Sequence, residues 1–502
     1  MTDRAFLPLA ILLALPLLAF DFGFLNPVPG LASTGLLLGA LFLTFRGARA
    51  QPPVDWRLIA PCLMMGLLVI LLSGAGHMFY QTDDWSIRDA LLVDLTRQPW
   101  PFSYEDAGKL QVLRAPLGLY LVPALVGKAG GLLAADVAML AQNGVLTGLI
   151  LYLFAREAAT RRSQSIILTV FLLFAGLDMV PILGQIVGGG QFFAHPDAWS
   201  GLEYSSHVTL LFWVPNHCLA GWSFAAAYVG WRRGQASLGA LGLFFALALF
   251  WSPLAMMGAL PMLLFAAVCA LRNGTLTWSQ VPTPALAGLA ALPVFLFMTR
   301  DTSAVPSGFI SGKSFYLAYA GLLATDVLPG VAFVWLGLST AKDAARPRAE
   351  LALIAAAMVL SPLYSLGVGN DFSRRAIIPL MAVLALAFAT SLVQIVETGR
   401  LWGQRWILPV MLLAAMNPAV EIIRNIVLPK TALSTCNLLD AWRSGPDRDV
   451  AMSSYFADAS AFTSLPSLFR PPSGEAVKAE GRRCWGDGKR PFLYNAPLLD
   501  KD

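Results

Sequence analysis

His77 to Pro101 reads HMFYQTDDWSIRDALLVDLTRQPWP, and it follows directly on an apolar run, Ile59 to Ala75. Acids, aromatics and arginines crowd this stretch. Polar side chains at the lip of a membrane cost free energy unless they have partners or a task. The segment therefore reads as the start of a first large outer loop, with the adjacent carboxylates Asp83 and Asp84 as the leading candidates for a catalytic base.

Composition agrees with a membrane setting. Of 502 residues, 57% are hydrophobic and 13% charged, whereas a soluble domain carries about 25% charged residues. There is no basic run and no zinc-finger spacing, which excludes nucleic acid as a partner. The first apolar stretch, Ala5 to Phe20, lacks a small-residue cleavage site and reads as a retained helix.

A helix needs roughly 20 apolar residues to cross the hydrocarbon. That length predicts an all-α polytopic membrane protein with about 13 transmembrane helices. They fall near 5–25, 30–46, 57–76, 135–155, 164–183, 208–230, 236–251, 254–271, 284–299, 320–340, 350–368, 376–396 and 406–424. The span at 320–340 is the weakest, interrupted by Asp326 and Pro329. The spans otherwise look free of internal charge, with Asp326 the one intramembrane acid expected.

Every second connection is short and basic: Arg46, Arg49 and Arg57; Arg156, Arg161 and Arg162; Arg232 and Arg233; Arg272; Lys342, Arg346 and Arg348; Arg400 and Arg405. The positive-inside rule puts these in the cytoplasm with the N-terminus. An odd helix count sends the C-terminus outside. The predominance of Arg over Lys suggests a bacterial chain, and hence the inner membrane. The organisation expected is a transmembrane domain over 1–428, a first outer loop over 77–134 and a small outer tail over 429–502.

On a helical wheel, Trp85, Ile87, Leu91, Leu92 and Leu95 share one arc, while Ser86, Asp89, Asp94, Thr96 and Arg97 mostly take the other. This predicts an interfacial helix lying on the bilayer, anchored by Trp85 and Trp100 and ended by Pro99 and Pro101. Arg88 falls in the apolar arc, one turn after Asp84, where the two can pair. Pro116 to Val126 reads as a second interfacial or partly re-entrant helix.

A transfer reaction needs a group to take the acceptor's hydroxyl proton, a task suited to Asp83 or Asp84; alternatively one of them simply caps the helix. Arg374 and Arg375 break the positive-inside trend in a short outer loop, GVGNDFSRR, Gly367 to Arg375. Guanidinium groups suit bidentate phosphate binding, and headgroup anchoring or a salt bridge to Asp371 is the plainer reading. Lys313 and Arg114 are lesser candidates for the same phosphate. Arg88, Glu203, His207, Asp178 and Asp371 are candidates for substrate contacts, although Asp178 also suits a capping role. No motif calls for a cofactor or fixes a metal site; His195, Asp197, Glu203 and His207 carry suitable donors for a divalent ion without any recognised spacing. His217 reads as structural. Cys436 and Cys484, both outside in this topology, either form a disulfide or stay as two thiols.

The acidic pair in the first outer loop, the interfacial helices and the segment RAPLGLYL, Arg114 to Leu121, resemble the GT-C glycosyltransferases. The aminoarabinose and protein mannosyl transferases show a similar order, typically with two prolines where this chain has Ala115-Pro116. The stretches FAGLDMVPILG, EYSSHVTLLFWVPNH and GNDFSRRAIIP look like those of a bacterial branch of membrane glycosyltransferases. The resemblance implies a GT-C-like fold and transfer of a sugar from a polyprenyl-phosphate carrier to a lipid or glycan acceptor at the outer face. It implies a base among Asp83 and Asp84 and a phosphate grip at Arg374 and Arg375, and it leaves metal dependence open. A polysaccharide ligase or polymerase, and a lipid or polysaccharide transporter without chemistry, are the alternatives.

Overall fold

The computed structural model describes residues 2–48, 53–189, 195–339, 345–399, 406–444, 452–482 and 484. Arg49, Lys342, Arg400 and Arg405 of the expected basic connections lie outside the described residues. Two expected spans are corrected: 164–183 is broken between Arg161–Leu172 and Met179–Val187, and 350–368 leaves its helix at Leu360 and ends in the strand Tyr364–Leu366. Helices occupy most of each stretch expected to cross the membrane. Among the described residues eight are long and apolar enough to do so: Arg4–Phe24, Pro27–Phe45, Leu132–Ala155, Pro253–Arg272, Trp278–Met298, Lys313–Leu338, Asp371–Glu397 and Ile407–Val427. Trp56–Leu72, Leu121–Gly130 and Leu238–Leu249 are shorter apolar helices. The protein is thus a helical, polytopic membrane protein.

The doubtful span is continuous. Lys313–Leu338 runs unbroken through a single π turn at Leu323–Val327, which absorbs Asp326. Such turns place an extra residue in a helix without ending it. The expectation of spans nearly free of charge is corrected. Asp21, Asp136 and Glu421 are also buried within them, each beside polar or charged groups.

Small residues set the closest helix contact. Gly144 and Gly148 of Leu132–Ala155 face Gly66 of Trp56–Leu72, and a Cβ on Gly148 would stand 2.6 Å from Leu63 Cα. Without a hydrophobic drive between helices in lipid, small residues four apart allow backbones to touch and dispersion to hold them.

The arginine-bearing connections gather at one end of the bundle. There Arg156 pairs with Asp3 at 2.9 Å, Arg161 with Asp55 at 2.8 Å and Arg232 with Glu350 at 2.8 Å. The first large loop, the Glu203 loop and the chain after Val427 meet at the other end.

Among the described residues six short strands lie in the connections and the tail: β1 Tyr104–Asp106, β2 Lys109–Leu113, β3 Ser307–Phe309, β4 Tyr364–Leu366, β5 Phe456–Asp458 and β6 Val477–Lys478. They form one sheet of order β5-β2-β1-β6 and an antiparallel pair of β3 with β4. The first sheet joins the loop to the tail: β2 pairs antiparallel with β5, and β1 parallel with β6. Cys436 and Cys484 form a disulfide, with Cα atoms 5.8 Å apart.

This cover corrects the reading of the first-loop helix. It spans Asp84–Arg97 and ends before Pro99, as expected, but it does not lie on the bilayer surface. Asp89, Asp94 and Thr96, expected in water, are buried with Trp85 and Leu92. Tail segments close over its polar face, where Asp94 accepts from the Leu438 amide at 2.8 Å and from the Tyr104 hydroxyl at 3.0 Å. Trp85 is no headgroup anchor, since its indole donates to the Phe212 carbonyl at 2.7 Å inside the protein. Trp100 is half-buried and donates to the Leu95 carbonyl at 2.8 Å. The expected second interfacial helix begins later, at Leu121–Gly130, and rests against Leu132–Ala155.

Candidate active site

Asp84 and Arg88 are one turn apart and therefore share a helix face. Their side chains stand 3.5 Å apart, with Asp84 more than a third exposed and Arg88 largely buried. Arg88 sits in the apolar arc because it points into the bundle. Its Nε donates to the Trp213 carbonyl at 3.2 Å, and Nη1 donates to Asn216 Oδ1 at 3.0 Å and to Tyr120 Oη at 3.2 Å. Asp83 occupies the N-cap position, half-buried, and its side chain accepts no capping hydrogen bond.

Arg374 and Arg375 lie on the short helix Asp371–Ala376 that follows β4. Gly258 admits this helix: any Cβ there would overlap the Ala376 carbonyl. Arg375 pairs with Asp371 at 3.5 Å, as its plainer reading had it, yet its Nε is buried with no hydrogen-bond partner among the described residues. Tyr455 of the tail donates to Asp371 at 3.2 Å. Asp371 and Asp84 are close enough for their charges to interact, as are His217 and both Arg88 and Arg375. The first loop and the Arg374 loop thus converge. His217, expected to be structural, belongs to this group, with Nδ1 2.6 Å from Ser252 Oγ.

A second string of charges begins at Arg374, whose Nε lies 3.5 Å from Glu203. His195 stands 3.4 Å from Glu203 and 3.2 Å from Glu421, which also pairs with Arg424. Burial raises the Glu203 carboxyl, but Arg374, His195 and Arg375 outweigh it and hold the group well below the usual carboxylate range. Trp213 ties the two strings together: its carbonyl accepts from Arg88 and its indole donates to Glu421 at 3.0 Å.

The remaining candidates are elsewhere. His207 is fully buried, ringed by Phe171, Phe174 and Trp222, with Nδ1 2.6 Å from the Phe171 carbonyl. It does not join His195, Asp197 and Glu203 as a metal ligand. Asp197 accepts from the Ser206 amide at 3.2 Å and from the Asn417 amide at 3.0 Å. Asp178 accepts from the same Asn417 at 2.6 Å and from Trp199 at 3.0 Å, beside Asp326. Lys313 is exposed at the start of its helix. The Arg114 amide donates to the Tyr455 carbonyl at 3.0 Å, which puts its backbone behind Asp371.

A half-open cavity of about 360 Å³ lies between helices, bounded by Phe174, Phe333, Phe388, Met411 and other apolar side chains, with the exposed Leu336 and Trp406 at its rim. Thr325 and Asp326 line it, so it abuts the Asp178 and Asp197 group; Asp84 and Arg374 do not border it.

Sequence reasoning passed over Glu421, Arg424, Tyr455 and Trp213. An acid and an arginine three apart near the end of an apolar helix are a readable signal for Glu421 and Arg424. Tyr455 and Trp213 carry none, because only the fold brings them in. No family model matches the chain, and no curated protein or solved structure matches it either.

Proposed function

We propose that the protein is an inverting membrane glycosyltransferase of GT-C type, with about 13 spans in the bacterial inner membrane. Its arginine-rich end and N-terminus face the cytoplasm, and the loop and tail face outside. The observation that carries this reading is the convergence of Asp84 and Arg88 with Asp371, Arg374, Arg375 and His217 at one end of the bundle. Transfer from a phosphate-linked donor needs a carboxylate and a pair of guanidinium groups within reach of one substrate.

In this mechanism Asp83 takes the proton of the acceptor hydroxyl, while Asp84 stays engaged with Arg88. The oxygen attacks the anomeric carbon through an oxocarbenium-like state, and the bond to the polyprenyl phosphate breaks. Arg374 and Arg375 receive the negative charge that gathers on the departing phosphate. Lys313 and Arg114 are secondary candidates for holding the donor, and the acceptor is a lipid or a glycan. The mostly apolar cavity suits an isoprenoid tail, whose hydrocarbon would pack against its aromatic and aliphatic walls.

The test is transfer by the purified protein in proteoliposomes, from a synthetic polyprenyl-phosphate sugar to lipid or glycan acceptors, read by mass spectrometry. A product heavier by one sugar is expected, and its loss in Asp83→Asn/Asp84→Asn protein that still folds. Addition of a whole chain would reassign the protein as a ligase or polymerase. One observation favours the transporter reading: Asp178, Asp197 and Asp326 are buried together beside the cavity, as in proton-coupled carriers. Substrate flux with no covalent product would establish it.

A further inference from the structure

A second polar group is used by nothing described so far. His77, Asp89 and Asp136 come from three different elements: the turn after Trp56–Leu72, the first-loop helix and the Leu132–Ala155 helix. His77 Nε2 lies 3.8 Å from Asp89 Oδ2 and 3.7 Å from Asp136 Oδ1, and all three side chains are about nine-tenths buried. One donor atom from each residue falls within 4.8 Å of the others.

These separations are too long for the hydrogen bonds of an imidazolium held by carboxylates, which close to about 2.8 Å. They suit ligands arranged around one ion, since bonds of about 2.0–2.2 Å at a tetrahedral angle put donor atoms roughly 3.4 Å apart. His77 Nε2 and Asp136 Oδ2 are buried without a hydrogen-bond partner among the described residues. Leaving such atoms unsatisfied is costly, and two buried carboxylates side by side add mutual repulsion.

The histidine is prepared for coordination. Its Nδ1 is 3.3 Å from the Thr431 carbonyl, a bond that puts the proton on Nδ1 and leaves the Nε2 lone pair turned toward the two acids. The backbone of His77 is left-handed, at φ 59°, directly after the positive-φ glycines Gly74 and Gly76. A non-glycine residue held in that region signals a side chain kept in place for a reason.

We propose that His77, Asp89 and Asp136 bind one divalent transition-metal ion, of the zinc class, that fastens the first-loop helix to the outer end of the bundle. Imidazole among the ligands selects against magnesium and calcium, which favour all-oxygen sites. Asp89 follows Arg88 directly, so the ion sets the register from which Arg88 reaches Trp213 and Asn216. The inference does not depend on what the protein transfers.

The experiment measures metal directly on the full chain, purified in detergent with its purification tag removed. Elemental analysis after dialysis against zinc is expected to find one zinc per chain, removable by EDTA. Zinc should raise the thermal unfolding midpoint of the stripped protein, and magnesium should not. Asp136→Asn and His77→Asn, the second chosen because Asn tolerates the left-handed backbone, should weaken zinc binding by about 100-fold or more. Absence of zinc from the wild type, or equal zinc in wild type and both variants, overturns the proposal. If a variant does not fold, the EDTA-reversible zinc shift of the wild type still decides.

Discussion

The guanidinium of Arg88 donates to the backbone carbonyl of Trp213 at 3.2 Å, a bond between residues 125 apart in sequence. It anchors the helix that carries the acidic pair to a residue whose indole holds Glu421. Arg88→Ala would strand the Asn216 side chain and the Trp213 carbonyl and release Asp84. We expect a loss of about 2 kcal/mol of stability, in line with leaving buried hydrogen-bond partners unsatisfied. Thermal unfolding in detergent checks it, and Arg88→Lys should recover only part because one ammonium cannot reproduce the fork.

Asp83→Asn and Asp84→Asn separate proton transfer from positioning. If Asp83 is the base, its amide variant should lose transfer by about 100-fold or more at unchanged donor affinity. Asp84→Asn should act more weakly and through Arg88. Steady-state rates over a range of donor concentrations distinguish the two, and a larger defect in Asp84→Asn would exchange the roles.

Arg375→Gln should reduce transfer by about 100-fold with a smaller loss of stability, because the group is assigned to charge that develops on the leaving phosphate and a glutamine can still donate to Asp371. Arg374 also stands beside Glu203, so Arg374→Gln is expected to lower stability as well. Parallel activity and melting measurements show whether the two arginines differ in this way.

Asp94 gives a pH dependence with a defined sign. Burial pushes its carboxyl from the ordinary 3.8 up to about 7, against the opposing bonds from Leu438 and Tyr104. The folded protein therefore keeps a proton that the unfolded chain releases. Its contribution is complete below the ordinary value and is lost as pH rises through about 7. Melting curves across this range should fall more steeply for the wild type than for Asp94→Asn. Equal slopes would mean that Asp94 does not titrate there.

Gly148→Leu should separate Trp56–Leu72 from Leu132–Ala155, since even a methyl at Gly148 would meet Leu63 Cα at 2.6 Å. A destabilisation of about 3 kcal/mol is expected from such overpacking. The same change should disturb the His77 turn, and zinc titration of the variant would detect it.

Hydropathy was enough to show a polytopic helical protein and to place most of its helices. This property is local: a run of apolar residues has to be helical in lipid, wherever its neighbours are. The motif GVLTG, Gly144 to Gly148, went unread, although small residues four apart are a local signal for a close helix contact. The possible Asp84–Arg88 pair could be foreseen because a helix repeats every turn. A cysteine pair in a tail could suggest a disulfide but not establish it.

What the tail does was not legible. Its strands are two to three residues long, too short for any periodic signal, and they exist only because β1 and β2 receive them. Once they do, the polar face of the first-loop helix is covered, and Asp89 and Asp94 become buried acids rather than solvated ones. The sequence by itself determined a polytopic helical protein and the chemical kinds of side chain available to it. The tertiary structure alone decided that Asp84, Arg88, Asp371 and Arg375 share one end and that Asp89 meets His77 and Asp136, because long-range packing fixes which polar groups lose water together.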